Sequence, residues 1–126
     1  MGLSYADLQL KNHLTGDMID VRALVDTGAV QMCIPQRVAA QLGFDTTEVR
    51  TVKVTLADGS IKKVPVVEPI LVRFQDRLCT TEAMVIGDEP LLGCIPMEAM
   101  DLLVRPRDQK LVVNPDHPNF PVLHVK

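Results

Sequence analysis

Ala23-Leu24-Val25-Asp26-Thr27-Gly28-Ala29 is the most informative stretch of this 126-residue sequence. Apolar residues alternate through positions 18–25 and predict a strand, and an acidic residue follows that strand at once. An aspartate rarely ends a buried apolar run unless partners hold its carboxylate. Gly28 allows a sharp backbone bend, and the Thr27 hydroxyl can bond to the backbone or to another chain. The stretch predicts a structured acidic turn, although aspartate and glycine are also common in ordinary solvated turns.

Strand patterns extend on both sides of this turn. Residues 5–10 and 18–25 alternate and predict a first hairpin. Residues 52–56 and the strand that returns from Ile61 predict a second hairpin, whose tip Asp58-Gly59 supplies the positive φ angles of a tight turn. Further short strands are predicted at 30–34, 70–74, 78–86, 91–93 and 111–113.

Two short helices are predicted between the strands. Pro35 fits the first position of a helix over 35–42, which Gly43 ends. A second helix is predicted over 96–102, and a turn near Asp76-Arg77 joins two of the strands. With roughly seven or eight short strands and frequent turns, the pattern predicts a mostly-β sandwich or barrel.

The length and composition predict one domain. A chain of 126 residues has a common single-domain size, so we expect one domain over 1–126, with its core at 5–113 and a tail at 114–126. Aromatic residues make up 3% and hydrophobic residues 47%, so the core should be aliphatic. The apolar residues 120–126 predict either a disordered tail or a strand added to a partner's sheet.

Charge and hydropathy argue against several classes of protein. The 13 basic and 16 acidic residues give a net charge of −3, which argues against a nucleic-acid-binding protein. No apolar run approaches the ~20 residues of a membrane-spanning helix. The N-terminal residues lack the basic and apolar regions of a signal peptide. We therefore expect a cytoplasmic protein that binds neither nucleic acid nor membrane.

The cysteines Cys33, Cys79 and Cys94 bear on metal and redox chemistry. They form a poor disulfide framework, and no pair has the C-x-x-C spacing of a metal site. Buried thiols are the simpler interpretation, so we expect no metal and no cofactor. A metal or redox protein remains a third functional hypothesis, which requires the three cysteines to meet in space.

Three motifs, in this order, resemble those of the retropepsin-like aspartic proteases. They are Leu24-Val25-Asp26-Thr27-Gly28-Ala29, the hairpin Val54-Thr55-Leu56-Ala57-Asp58-Gly59-Ser60, and Leu91-Leu92-Gly93 before a helix. The resemblance spans roughly residues 5–113 and is greatest to the small cellular members found in prokaryotes. It implies a retropepsin-like closed β-barrel, the acid protease fold, with one or two short helices and one lobe per chain.

The resemblance also implies roles for individual residues. Asp26 would be the catalytic residue of each chain, and its carboxylate would hold a water together with a second carboxylate. Thr27 would also bond across a dimer axis, and the hairpin 52–66 would be a flap that closes over the substrate. The residues implied to bind the substrate are Thr27, Gly28, Ala29, Ala57, Asp58 and Gly59.

The sequence contains a single Asp-Thr/Ser-Gly motif. A pair of catalytic carboxylates then requires two chains, which predicts an isologous homodimer that acts on a peptide or protein substrate. The sequence departs from viral members at Val30-Gln31, where they carry a substrate-binding Asp, and at Cys94-Ile95, where they carry Arg-Asn. Two interpretations stay open: a homodimeric aspartic endopeptidase, and a catalytically silent binding or assembly module of the same fold.

Overall fold

The computed structural model describes residues 3–125. Within that range it has nine strands and two short helices. In chain order they are β1 (Ser4–Asn12), β2 (Met18–Val25), β3 (Met32–Ile34), α1 (Gln36–Gln41), β4 (Thr51–Thr55), β5 (Ile61–Phe74), β6 (Arg77–Val85), β7 (Leu91–Leu92), α2 (Cys94–Ala99), β8 (Leu102–Arg105) and β9 (Lys110–Val113).

Six of the strands close into a barrel. Their order is β1-β2-β7-β3-β6-β5, and β5 pairs with β1 to complete the ring. Strand β4 pairs with the first part of β5, and β8 and β9 form a separate two-stranded sheet. The prediction of a mostly-β closed barrel with short helices is confirmed. No described helix is both long and apolar enough to cross a membrane.

The barrel core is aliphatic, as the composition predicts. Alternate residues of β1 point inward, and Ala6, Leu8 and Leu10 are 7%, 3% and 0% exposed. Burying a Leu or Ile side chain of this kind stabilises the fold by about 1.5–3 kcal/mol. Other members of the same core cluster are Met32, Ile34, Leu42, Ile70, Val72, Leu92 and Met100.

The helices are shorter than predicted. Pro35 is the N-cap of α1, not its first residue, and α1 ends at Gln41 with Gly43 in a left-handed conformation just beyond it. Helix α2 begins at Cys94, two residues earlier than predicted, and ends at Ala99. It stops there because Asp101 adopts a positive φ of 56°, which turns the chain into β8.

Strands β5 and β6 each differ from the prediction. Residues 61–74 form one strand, with an irregularity between Val67 and Ile70, so β5 pairs first with β4 and then with β1. Arg77 was predicted in a turn, but it begins β6 and is 2% exposed. Its guanidinium donates to the carbonyl of Met100 over 2.8 Å and to the carbonyl of His117.

The C-terminal segment is attached through Asp101. The Asp101 carboxylate accepts hydrogen bonds from the Val122 N–H (2.9 Å) and the Asn114 side chain (3.2 Å), and lies 2.7 Å from the His117 ring. These bonds lower the pKa of Asp101 to about 2, and the bond from the Val122 N–H has the largest effect. Residues 120–125 form no strand and are exposed. Their addition to a partner's sheet stays a prediction, and Lys126 lies outside the described residues.

Candidate active site

Asp26 lies directly after β2, at one end of the barrel. Its N–H donates to the carbonyl of Leu92 over 3.0 Å, and its own carbonyl accepts from the Ala29 N–H over 3.1 Å. The Gly28 N–H donates to Oδ1 of the Asp26 carboxylate over 2.9 Å. These bonds fix both the turn and the direction of the carboxylate, while Thr27 and Gly28 remain exposed.

Strand β7 packs beside the Asp26 turn. It lies between β2, with which it runs parallel, and β3. After β7 the chain stays beside the turn, because the Cys94 N–H donates to the Ala29 carbonyl (2.8 Å) and the Ile95 N–H to the Val30 carbonyl (2.9 Å). The predicted strand Leu91-Leu92-Gly93 therefore lies next to the Asp26 turn.

Gly93 is needed at this point because there is no space for a side chain. A Cβ atom there would lie 2.2 Å from the carbonyl oxygen of Gln31 and 2.9 Å from that of Ala29. Its φ of −90° is open to any residue, so contact, not backbone conformation, is what requires glycine. The close approach of the two segments explains the glycine that ends the Leu-Leu-Gly motif.

Two open clefts meet at Thr27. The first lies beside Asp26 and has a volume of about 530 Å³. It is lined by Leu3, Ser4, Val25, Asp26, Thr27, Val104, Pro106 and Gln109. The second has a similar volume, about 530 Å³, and lies toward α2; it is lined by Thr27, Cys94, Met97, Glu98, Leu102, Leu103 and Val104. Thr27 therefore stands at an accessible surface with apolar walls on both sides.

The predicted substrate residues fall into two groups. Asp26, Thr27, Gly28 and Ala29 form one continuous turn, whereas residues 57–59 lie at the tip of the β4–β5 hairpin. Neither of the two clefts at Thr27 is lined by a described residue of that hairpin. The structure brings the first group together and leaves the second group on a separate, exposed element.

The hairpin tip is a tight turn with an internally bonded carboxylate. The Leu56 N–H donates to the Ser60 carbonyl (2.8 Å), and the Gly59 N–H donates to the Leu56 carbonyl (2.9 Å). Only Gly59 has a positive φ, 86°, so the expectation that Asp58 shares this conformation is wrong. The Ser60 hydroxyl (2.6 Å) and N–H (2.9 Å) donate to Asp58, and they lower its pKa.

The three cysteines are half-buried free thiols. Burial raises the pKa of the Cys33 thiol, and the negative charge of Asp26 raises it further. Burial raises the pKa of Cys79 to about 11. Both thiols therefore stay protonated near neutral pH, which makes them poor nucleophiles and poor metal ligands. Among residues 3–125, no group of three or more His, Cys, Asp or Glu side chains is placed to hold a metal ion.

One part of the site was missed in the sequence. Val104 of β8, with Pro106 and Gln109 of the β8–β9 turn, lines the cleft beside Asp26. The apolar run at 102–104, followed by a polar turn and the strand at 110–113, is a hairpin pattern that could have identified β8. The prediction of a second helix that extends to residue 102 obscured this pattern.

Comparisons with known proteins agree with this geometry. A family model described as "Aspartyl protease" matches residues 14–99, more than half of the chain. One similar solved structure is a crystal structure of a retropepsin-like aspartic protease from Rickettsia conorii, with 21% sequence identity and a TM-score of 0.54. The match covers 78% of this chain and 84% of that one, and it shows a common fold. A comparison with curated proteins gives no significant match.

Proposed function

Because this chain belongs to the aspartyl protease family and has a retropepsin-like fold, we propose that it is a homodimeric aspartic endopeptidase with Asp26 as its catalytic residue. The observation that carries the proposal is the Asp26 turn. Its carboxylate follows a barrel strand, is oriented by the Gly28 N–H at 2.9 Å, and lines an open cleft. A carboxylate fixed at the surface in this way is available to bind a water and a substrate carbonyl.

Two Asp26 carboxylates, one from each chain, perform the reaction. Two carboxylates in contact cannot both ionise easily, so they share one proton, as is general for aspartic proteases. The ionised carboxylate takes a proton from the bound water, and the water oxygen forms a bond to the scissile carbonyl carbon. The protonated carboxyl donates its proton to the carbonyl oxygen. A tetrahedral gem-diol results, and neither chain forms a covalent bond to the substrate.

The second half of the reaction reverses the roles. The carboxyl that gained the water proton donates it to the amide nitrogen as the C–N bond breaks. The other carboxylate takes a proton from one hydroxyl of the gem-diol, which becomes the new carboxylic acid product. The shared proton is thereby restored, and the site is ready for another turnover without any cofactor.

A second copy of the chain supplies the second carboxylate. The sequence holds one Asp-Thr/Ser-Gly motif, so an isologous dimer that places the two turns on a twofold axis is the arrangement that completes the site. The exposure of Thr27 between two apolar clefts supports this proposal, because a partner can approach the turn there. In this dimer the Thr27 hydroxyl bonds to the partner chain and holds the two turns together.

The β4–β5 hairpin is the proposed flap. Its tip residues Ala57, Asp58 and Gly59 are exposed and make no hydrogen bond to the Asp26 turn. A flap of this kind closes over an extended peptide, and its backbone groups bind the substrate together with those of Gly28 and Ala29. Closure excludes water from the reacting carbonyl.

The proposal is tested by peptide cleavage with class-specific inhibitors. We expect the purified protein to cleave internal bonds of unstructured peptides, and a pepstatin-type inhibitor to abolish this activity. A chelator should leave the activity unchanged, because no step uses a metal. A protein that binds the inhibitor but cleaves no peptide would instead be the silent binding module of the same fold.

A further inference from the structure

The proposed flap carries a positive charge on an acidic protein. Its strands and tip, residues 52–66, contain three lysines and one aspartate, whereas the whole chain has a net charge of −3. The lysines are Lys53, Lys62 and Lys63, and none of them takes part in an ion pair among residues 3–125. The Asp58 carboxylate is already bonded to Ser60. Because these bonds keep Asp58 ionised, the hairpin has a net charge of +2, three lysines less one aspartate, and this charge attracts an acidic ligand.

The strand register places Lys62 on the inner face of the hairpin. Residues directly opposite each other in an antiparallel pair have side chains on the same face, as do alternate residues of one strand. Val54 pairs with Lys62, and Val52 pairs with Val64. Val64 is 1% exposed and Val52 and Val54 are half-buried, so this face is turned toward the protein, whereas Lys62, nearer the tip, is exposed.

The other two lysines lie on the outer face. Lys53 and Lys63 are directly paired, and both are exposed, as are Thr51 and Thr55 on the same side of β4. Like charges placed opposite each other repel. Because this pair faces solvent, water and salt screen it. Of the three lysines, Lys62 alone shares a face with the half-buried Val52 and Val54 and the buried Val64.

We propose, on the basis of the protease function above, that Lys62 selects peptide substrates with an acidic side chain in the segment that the flap covers. When the flap closes, its inner face lies against the peptide, and an ammonium there attracts a carboxylate. The half-buried Val52 and Val54 next to it favour apolar neighbours. Closure also removes water, which strengthens the attraction. The preferred substrate is an extended apolar peptide that carries one Glu or Asp.

Acidic residues of the protein itself are the competing partners. Asp88, which is exposed, and Glu89, which is half-buried, lie in the turn between β6 and β7, and an ion pair of Lys62 with one of them on closure is the alternative. Lys62 would then hold the flap shut and would confer no preference for substrate charge. The two roles predict different results for Lys62 variants. Loss of substrate selection changes kcat/KM only for acidic peptides, whereas loss of flap closure changes kcat/KM for all peptides.

The test uses peptides that differ at one position. A Glu, Gln or Lys is placed in turn at each site flanking the scissile bond, and kcat/KM is measured for the wild type, Lys62→Gln and Lys63→Gln. We expect the wild type to prefer Glu to Gln by about fivefold at one position, the upper end for an exposed ion pair. Lys62→Gln should abolish that preference through KM. Lys63→Gln, the matched change on the outer face, should retain it.

Three results would overturn this assignment. They are a wild type without a charge preference, an equal loss in both variants, and a loss of activity in Lys62→Gln that is the same for all peptides. Binding of the same peptides to the Asp26→Asn variant, followed by fluorescence anisotropy, separates the two proposals. If the wild type cleaves nothing, the protease function fails. The role of Lys62 is then decided by binding alone: we compare the ratio of affinities for the Glu and Gln peptides in proteins with and without Lys62→Gln.

Discussion

Asp26→Asn should lower kcat for peptide cleavage by about 10²–10⁴-fold, the range that one general acid–base group contributes. An amide cannot take a proton from the bound water, so neither chain of the variant dimer provides a base. The fold should survive, because the amide oxygen can still accept the Gly28 N–H bond that the carboxylate accepts now. We expect the free energy of unfolding to change by less than about 1 kcal/mol. Steady-state kinetics and thermal unfolding of the same preparation check both statements.

The matched control is Asp76→Asn. Asp76 lies in the exposed turn between β5 and β6, away from both clefts at Thr27, and its substitution should leave kcat unchanged. Excess Asp26→Asn chains should also inhibit the wild type, since a mixed dimer has a single carboxylate. Near wild-type turnover in the purified Asp26→Asn protein would rule out the proposed chemistry.

Gly93→Ala should destabilise the fold by about 3 kcal/mol, the upper end for an overpacked site. The new methyl group would lie 2.2 Å from the Gln31 carbonyl oxygen, so two backbone segments must separate. For a domain of this size the melting temperature should fall by roughly 10 °C or more. Activity should fall as well, because the same separation breaks the contacts of Cys94 and Ile95 with the Asp26 turn. Calorimetry and peptide cleavage measure the two effects.

Gly16→Ala is the control for this substitution. Gly16 has a positive φ of 84°, and a Cβ atom added there would have no neighbour within 4 Å. Alanine at this position should therefore lower the free energy of unfolding by only about 1–2 kcal/mol, the energy that a non-glycine residue needs to adopt the left-handed conformation. Gly16 lies in the turn between β1 and β2. If Gly93→Ala were as stable as Gly16→Ala, the close packing behind the Asp26 turn would not be the reason for the Leu-Leu-Gly motif.

The parts of the fold that depend on local sequence could be predicted. The Asp26 turn, the Asp58-Gly59 hairpin and the Leu91-Leu92 strand each follow from apolar alternation and turn residues a few positions apart. Their order was sufficient to identify the family, and with it the closed barrel. The roles of Asp26 and of the hairpin remain predictions.

The errors arose where distant residues determine the local structure. Arg77 looked like a turn residue, but carbonyl groups 23 and 40 positions away bind its guanidinium and make its burial possible. Helix α2 ends early because Asp101 adopts a positive φ, and its side chain accepts hydrogen bonds from Asn114 and Val122, 13 and 21 positions away. Half of the proposed active site is absent from any single chain, so no pattern within the sequence could supply its geometry.

The dependence of activity on dimerisation tests the central claim most directly. Sedimentation velocity and peptide cleavage should be measured on one dilution series that crosses the dimer dissociation constant. We expect kcat per chain to fall in proportion to the fraction of dimer, and to recover when the protein is concentrated again. A monomer that retains full activity per chain would contradict the account, because Asp26 lies in the one Asp-Thr/Ser-Gly turn of this sequence.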